Sequence, residues 1–66
     1  MYELRQNAFG YFIIANAANP RLAWSGSQWM PIDDQGFPAG NTQVCNFPTR
    51  EEAEEYCRQH GLTRLQ

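Results

Sequence analysis

The sequence predicts an α+β fold: a small antiparallel β-sheet of four to five short strands with one C-terminal α-helix packed on one face. Three observations carry that expectation. Apolar residues alternate or run in short β-prone blocks between residues 2 and 47. Gly, Pro, Asn and Asp punctuate those blocks. From Thr49 onward the chain carries start, face and stop signals of a single helix over residues 50–60. With 66 residues, the chain has length for one domain, 1–66, with strands within 2–47 and a short tail at 62–66.

Tyr2-Glu3-Leu4-Arg5 alternates apolar and charged residues, the period of a half-buried strand. Asn7-Ala8-Phe9-Gly10 supplies turn residues, and Tyr11-Phe12-Ile13-Ile14-Ala15 is a continuous β-prone run expected at the centre of the sheet. These two segments form an expected hairpin. A loop over residues 16–21 contains the turn signal Asn19-Pro20.

Residues 22–31 read as a second hairpin around a two-residue Gly26-Ser27 turn, with Gly first as a type II′ turn requires. That register sets Ser25 opposite Gln28, Trp24 opposite Trp29 and Ala23 opposite Met30. Placing both tryptophans in the core would leave Ala23 and Met30 exposed. Pro31 ends the strand or marks an edge.

Residues 32–42 form the least regular stretch, a long loop carrying Asp33, Asp34, Gly36, Pro38 and Gly40. Residues 43–47 read as a last strand with Cys45 and Phe47 on one face. Thr49 then acts as N-cap with Glu52 three residues on, a capping box. Ala53, Tyr56, Cys57 and His60 recur at i, i+3, i+4, i+7 and form the expected buried face. Glu51, Glu54, Glu55 and Arg58 form the solvated face, with Glu54 and Arg58 spaced as an i, i+4 pair. Gly61 suits the left-handed stop and Leu62 its apolar contact.

A chain this short has a marginal core, but two Trp, three Tyr and four Phe supply large rings to fill it. The formal charge of −2 provides no general attraction for phosphate. No apolar run approaches the ~20 residues of a membrane span, and no secretory signal is visible, so the expected setting is cytoplasmic. In that setting Cys45 and Cys57 are expected as reduced, inward-facing thiols, although their placement also admits a disulfide. Zinc would need a fourth ligand beyond Cys45, Cys57 and His60, which only Asp33 or Asp34 could supply.

No Gly-rich phosphate loop, nucleophile elbow or base-and-nucleophile arrangement is present, so no catalytic residues, cofactor or metal are assigned. The expected role is a non-enzymatic protein-binding module. Arg21, Trp24, Trp29 and Met30 have the composition in which binding energy concentrates; Asp33, Asp34 and Phe37 of the adjoining loop complete the candidate surface. Two alternatives stand beside it. One is a single-stranded nucleic-acid binder using the aromatic hairpin with Arg5 and Arg21, which the net charge disfavours. The other is a homo-oligomer joined through sheet edges or the hairpin face.

The tail from Phe47-Pro48-Thr49-Arg50-Glu51-Glu52-Ala53 to Gly61-Leu62 resembles the closing helix of many small sheet-plus-helix modules, one being the C-terminal region of a respiratory complex I accessory subunit. In size and style the chain resembles small proteins encoded by phages and mobile elements, anti-CRISPR inhibitors among them. That resemblance implies an inhibitor of a bacterial partner.

Overall fold

The computed structural model describes residues 1–40 and 42–62. Five strands and one helix follow in order: β1 (Tyr2–Gln6), β2 (Phe12–Asn16), β3 (Leu22–Trp24), β4 (Trp29–Pro31), β5 (Asn46–Phe47) and α1 (Arg50–Gln59). This is the expected α+β arrangement, an antiparallel sheet with a C-terminal helix packed against it. The expected tail beyond Leu62 lies outside the described residues.

The apolar run at β2 makes it the centre of the sheet. β1 pairs along its whole length, from Tyr2 opposite Asn16 to Gln6 opposite Phe12. The other side of β2 is shared. Ala15 pairs with Ala23 of β3, while Phe12 and Ile13 pair with Phe47 and Asn46 of β5. This sharing explains why β5 is shorter than the expected 43–47. β3 already occupies the far end of β2, so residues 43–45 leave the ladder. Val44 turns into a core cluster and the Cys45 N–H donates to the Trp24 carbonyl at 2.9 Å.

Because successive strand residues point to opposite faces, Ile13 and Ile14 enter separate cores. On the helix side, Tyr2, Ile14 and Cys57 are buried, with Leu4, Trp24, Trp29, Phe47, Tyr56 and Leu62 packed against them. On the other side, Ile13, Ala23 and Ile32 are buried, with the half-buried Val44 packed against them. Each fully buried isoleucine is worth about 1.5–3 kcal/mol of transfer free energy. The sheet is therefore covered on both faces, by the helix on one and by Ile32 and Val44 of the long segment on the other.

That second cover corrects one expectation. Trp24 and Trp29 do face each other across the hairpin, edge to face at 5.2 Å, and both pack on the helix-side core. Ala23 is nevertheless fully buried and Met30 half-buried, because the long segment folds back over the face they occupy.

The covering segment is less irregular than its composition suggests. It contains a third tight hairpin, closed by an isolated bridge between Ile32 and Pro38, and its turn repeats the one joining β1 to β2. In residues 7–11 the Asn7 side-chain oxygen accepts from the N–H groups of Phe9 and Tyr11 at 3.0 and 3.1 Å. The Asn7 N–H donates to the Tyr11 carbonyl and the Gly10 N–H to the Asn7 carbonyl. In residues 33–37 the Asp33 carboxylate accepts from Gln35 and Phe37 at 2.9 and 3.0 Å. The Asp33 N–H donates to the Phe37 carbonyl and the Gly36 N–H to the Asp33 carbonyl. Gly10 and Gly36 hold φ of +88° and +85°, the left-handed position of a three-residue hairpin loop. The Ala8 N–H donates to the Gln35 carbonyl at 2.9 Å and docks one turn on the other.

The helix follows its signals closely. Thr49 Oγ1 accepts from the Glu52 N–H at 3.2 Å. At the other end Gly61 N–H bonds the Arg58 carbonyl and Leu62 N–H the Cys57 carbonyl, the two bonds of a Schellman stop. Arg58 pairs with Glu55. One detail differs from expectation: His60 is the exposed C-cap residue, not part of the buried face, and its ring stacks on Tyr56 at 4.1 Å. The chain leaves the axis there, so the i+7 position no longer faces the sheet.

Candidate functional site

The seven residues singled out from the sequence separate into three places. Trp24 and Trp29 belong to the seam between the hairpin and α1. There the Cys45 thiol donates to the Tyr56 hydroxyl at 3.8 Å, and a Cβ on Gly26 would lie 3.6 Å from that hydroxyl. Burial raises the Tyr56 phenol above its ordinary value, and the contact with Cys45 adds to that rise. The Trp24 indole N–H opposes it, although its buried Nε1 completes no hydrogen bond among the described residues. Both cysteines are free thiols.

A second group lies on the opposite face. Arg5, Pro20, Arg21, Asp33 and Asp34 line an open depression of about 150 Å³. Its local order comes from asparagines. Asn16 Oδ1 accepts from Ala18 and Asn19, and Asn19 Oδ1 accepts from the N–H of Arg21. Arg5 Nη1 donates to the Pro20 carbonyl at 3.0 Å. Arg21 and Asp34 approach to 4.0 Å with side chains 80% and 94% exposed, a pair worth about 0–1 kcal/mol. Asp33 is committed to its own turn. Met30 is half-buried beside Ala23.

Phe37 leads to the third place, which sequence reasoning missed. Its ring meets that of Phe9 at 4.9 Å, across the junction of the two twin turns. Phe9 is 79% exposed and Tyr11, two residues on, is 43% exposed. The signal was present in the sequence as the pattern Asx-x-x-Gly-aromatic, which occurs at residues 7–11 and again at 33–37. Reading it requires recognising that one turn chemistry is used twice and that the two turns lie against each other.

Among the described residues no three His, Cys, Asp or Glu side chains gather in metal-binding geometry, and no helix is long and apolar enough to cross a membrane. Compared with family models, curated proteins and solved structures, the chain matches none of them.

Proposed function

We propose that this chain is a small non-enzymatic protein-binding module that engages a protein partner through the tips of the twin turns. The observation that carries this reading is Phe9: a large ring left 79% exposed on a turn whose backbone N–H groups, from Asn7 to Tyr11, are all hydrogen-bonded. Phe37 supports that ring from the neighbouring turn, and Asp34 of the same turn borders the polar depression with Arg21. An aromatic anchor with a charged rim is the usual make-up of a binding hot spot, and a pre-ordered turn reduces the entropy lost on docking. Blocking a bacterial partner is the finer form of the same proposal. The aromatic hairpin is less suited to stacking nucleic-acid bases, since Trp24 and Trp29 pack on the core.

The test compares the unaltered chain with Phe9→Ser in affinity capture from bacterial lysate, followed by titration of the captured, purified partner. Phe9→Ser is expected to weaken binding at least ~10-fold, the loss typical of a central aromatic anchor, with an unchanged melting transition. A purified partner that binds Phe9→Ser and Phe37→Ala as tightly as the unaltered chain overturns the proposal.

A further inference from the structure

We infer that the depression between the turn of residues 33–37 and the loop of residues 16–21 takes a carboxylate of the protein partner, an Asp or Glu side chain held by Arg5 and Arg21. The inference deepens the protein-binding reading and rests on it for the source of that carboxylate. The depression measures about 150 Å³ and is lined by Arg5, Pro20, Arg21, Asp33 and Asp34. Small-molecule pockets begin at roughly 300 Å³. The space therefore suits the head group of one side chain better than a whole ligand.

Both arginines stand on ordered backbone. Arg5 belongs to β1, and its Nη1 donates to the Pro20 carbonyl at 3.0 Å. That bond anchors one corner of the guanidinium and leaves its other donors for a ligand. The loop it reaches is tied by the Asn16 and Asn19 side chains. The Arg21 carbonyl accepts from the Ile32 N–H at 2.8 Å, which joins the loop to the start of the long segment. The Arg21 side chain itself is 80% exposed. The acidic group that reaches it is Asp34, at 4.0 Å, too far for a hydrogen bond.

Two aspartates share the lining, and their situations decide the sign of the ligand. Asp33 Oδ1 already accepts from the N–H groups of Gln35 and Phe37, so its carboxylate is held by its own turn. Asp34 is 94% exposed and stands opposite Arg21 without closing the pair. It occupies the place of a ligand carboxylate as a weak internal competitor, since exposed pairs of this kind contribute little. A carboxylate seated against both guanidinium groups gains charge-assisted hydrogen bonds that Asp34 does not make. A cationic group would meet Asp34 only in the company of two like charges. The open donors of Arg5 and Arg21 and the loose seat of Asp34 thus select an acidic side chain.

The test titrates the full chain with the blocked peptide acetyl-Gly-Glu-Gly-amide at low salt, read by NMR on the side-chain Nε–Hε signals of Arg5 and Arg21. Saturable shifts are expected at millimolar peptide, fading as added salt screens the charges. Arg21→Gln should weaken peptide binding at least about fivefold, with an unchanged melting transition. Asp34→Asn should tighten it by about two- to fivefold, because the internal competitor is gone. Weaker binding in Asp34→Asn overturns the inference. So do larger shifts with acetyl-Gly-Arg-Gly-amide, and so does a thymidine oligonucleotide that binds where the glutamate peptide does not. Phe9→Ser should leave the peptide titration unchanged, so this inference and the turn-tip reading fail separately. A captured partner weakened by Phe9→Ser but indifferent to Arg21→Gln overturns the carboxylate site alone. One weakened by Arg21→Gln but indifferent to Phe9→Ser upholds the site and strikes the turn tips.

Discussion

Residues 7–11 and 33–37 have the same hydrogen-bonded turn in different surroundings. The first closes a full two-strand ladder, and its Asn7 is only 8% exposed. The second closes a hairpin of a single bridge, and its Asp33 faces solvent. Either side chain can accept from the two N–H groups that the turn presents. Burial separates them. A neutral amide is tolerated under the covering segment, where a carboxylate would lose hydration, and the charged residue stands where water reaches it. One local geometry is thus written with two residue types, and the surroundings decide which.

The largest effect expected from breaking this comparison is at its glycines. A Cβ on Gly36 would lie 2.9 Å from the Asn7 Cβ and 3.1 Å from its Cα, whereas a Cβ on Gly10 would meet nothing within 4 Å. Both substitutions to Ala carry the left-handed strain of about 1–2 kcal/mol. Gly36→Ala adds overpacking of a further ~1–3 kcal/mol. Denaturant unfolding should therefore show Gly36→Ala losing roughly twice as much stability as Gly10→Ala. Equal losses would mean that the two turns are not in contact.

A smaller difference is expected at the side chains that organise the turns. Asn7→Ala leaves the N–H groups of Phe9 and Tyr11 short of an acceptor in a part-buried site, costing about 1–3 kcal/mol. Asp33→Ala exposes its two donors to water, which replaces the lost acceptor, so about 0.5–1 kcal/mol is expected. The ratio, measured by thermal melts at neutral pH, sharpens the claim that burial sets the value of the same bond.

The smallest effect belongs to the helix side and serves as a control. Burial holds the Tyr56 phenol above its ordinary value, so the folded state keeps that proton longer than the unfolded chain does. The resulting stability is fully present below the unfolded value near ~10 and is lost as pH rises through the higher folded value. A pH series of melts should show this loss above pH ~10, reduced in Tyr56→Phe. Gly10→Ala should leave it unchanged, because the two faces of the sheet are packed separately.

The contrast between faces also explains what could be read in advance. α1, its Thr49 cap and its Gly61 stop depend on contacts within a few residues, and the strand pairing of the second hairpin depends on a two-residue turn. These are legible because the interacting groups are close in the chain. The candidate site is not. Phe37 was identifiable as a loop aromatic, yet its partner Phe9 is far away in sequence, and nothing local says that the two turns touch. Trp24 and Trp29 carry the composition of a binding surface, and both stand half-buried against the cluster of Tyr2, Ile14 and Cys57.

By itself, then, the sequence determined the fold class, the helix and its ends, the register of the β3–β4 hairpin, and two copies of one turn pattern. Those features rest on backbone hydrogen bonds and dihedral preferences satisfied locally. Tertiary structure alone decided that Ile32 and Val44 cover the second face, that Ala23 is buried, that β5 shortens to two residues beside β3, and that Phe9 stands exposed against Phe37. These depend on which surfaces compete for the same space, and that competition is settled only when the whole chain packs.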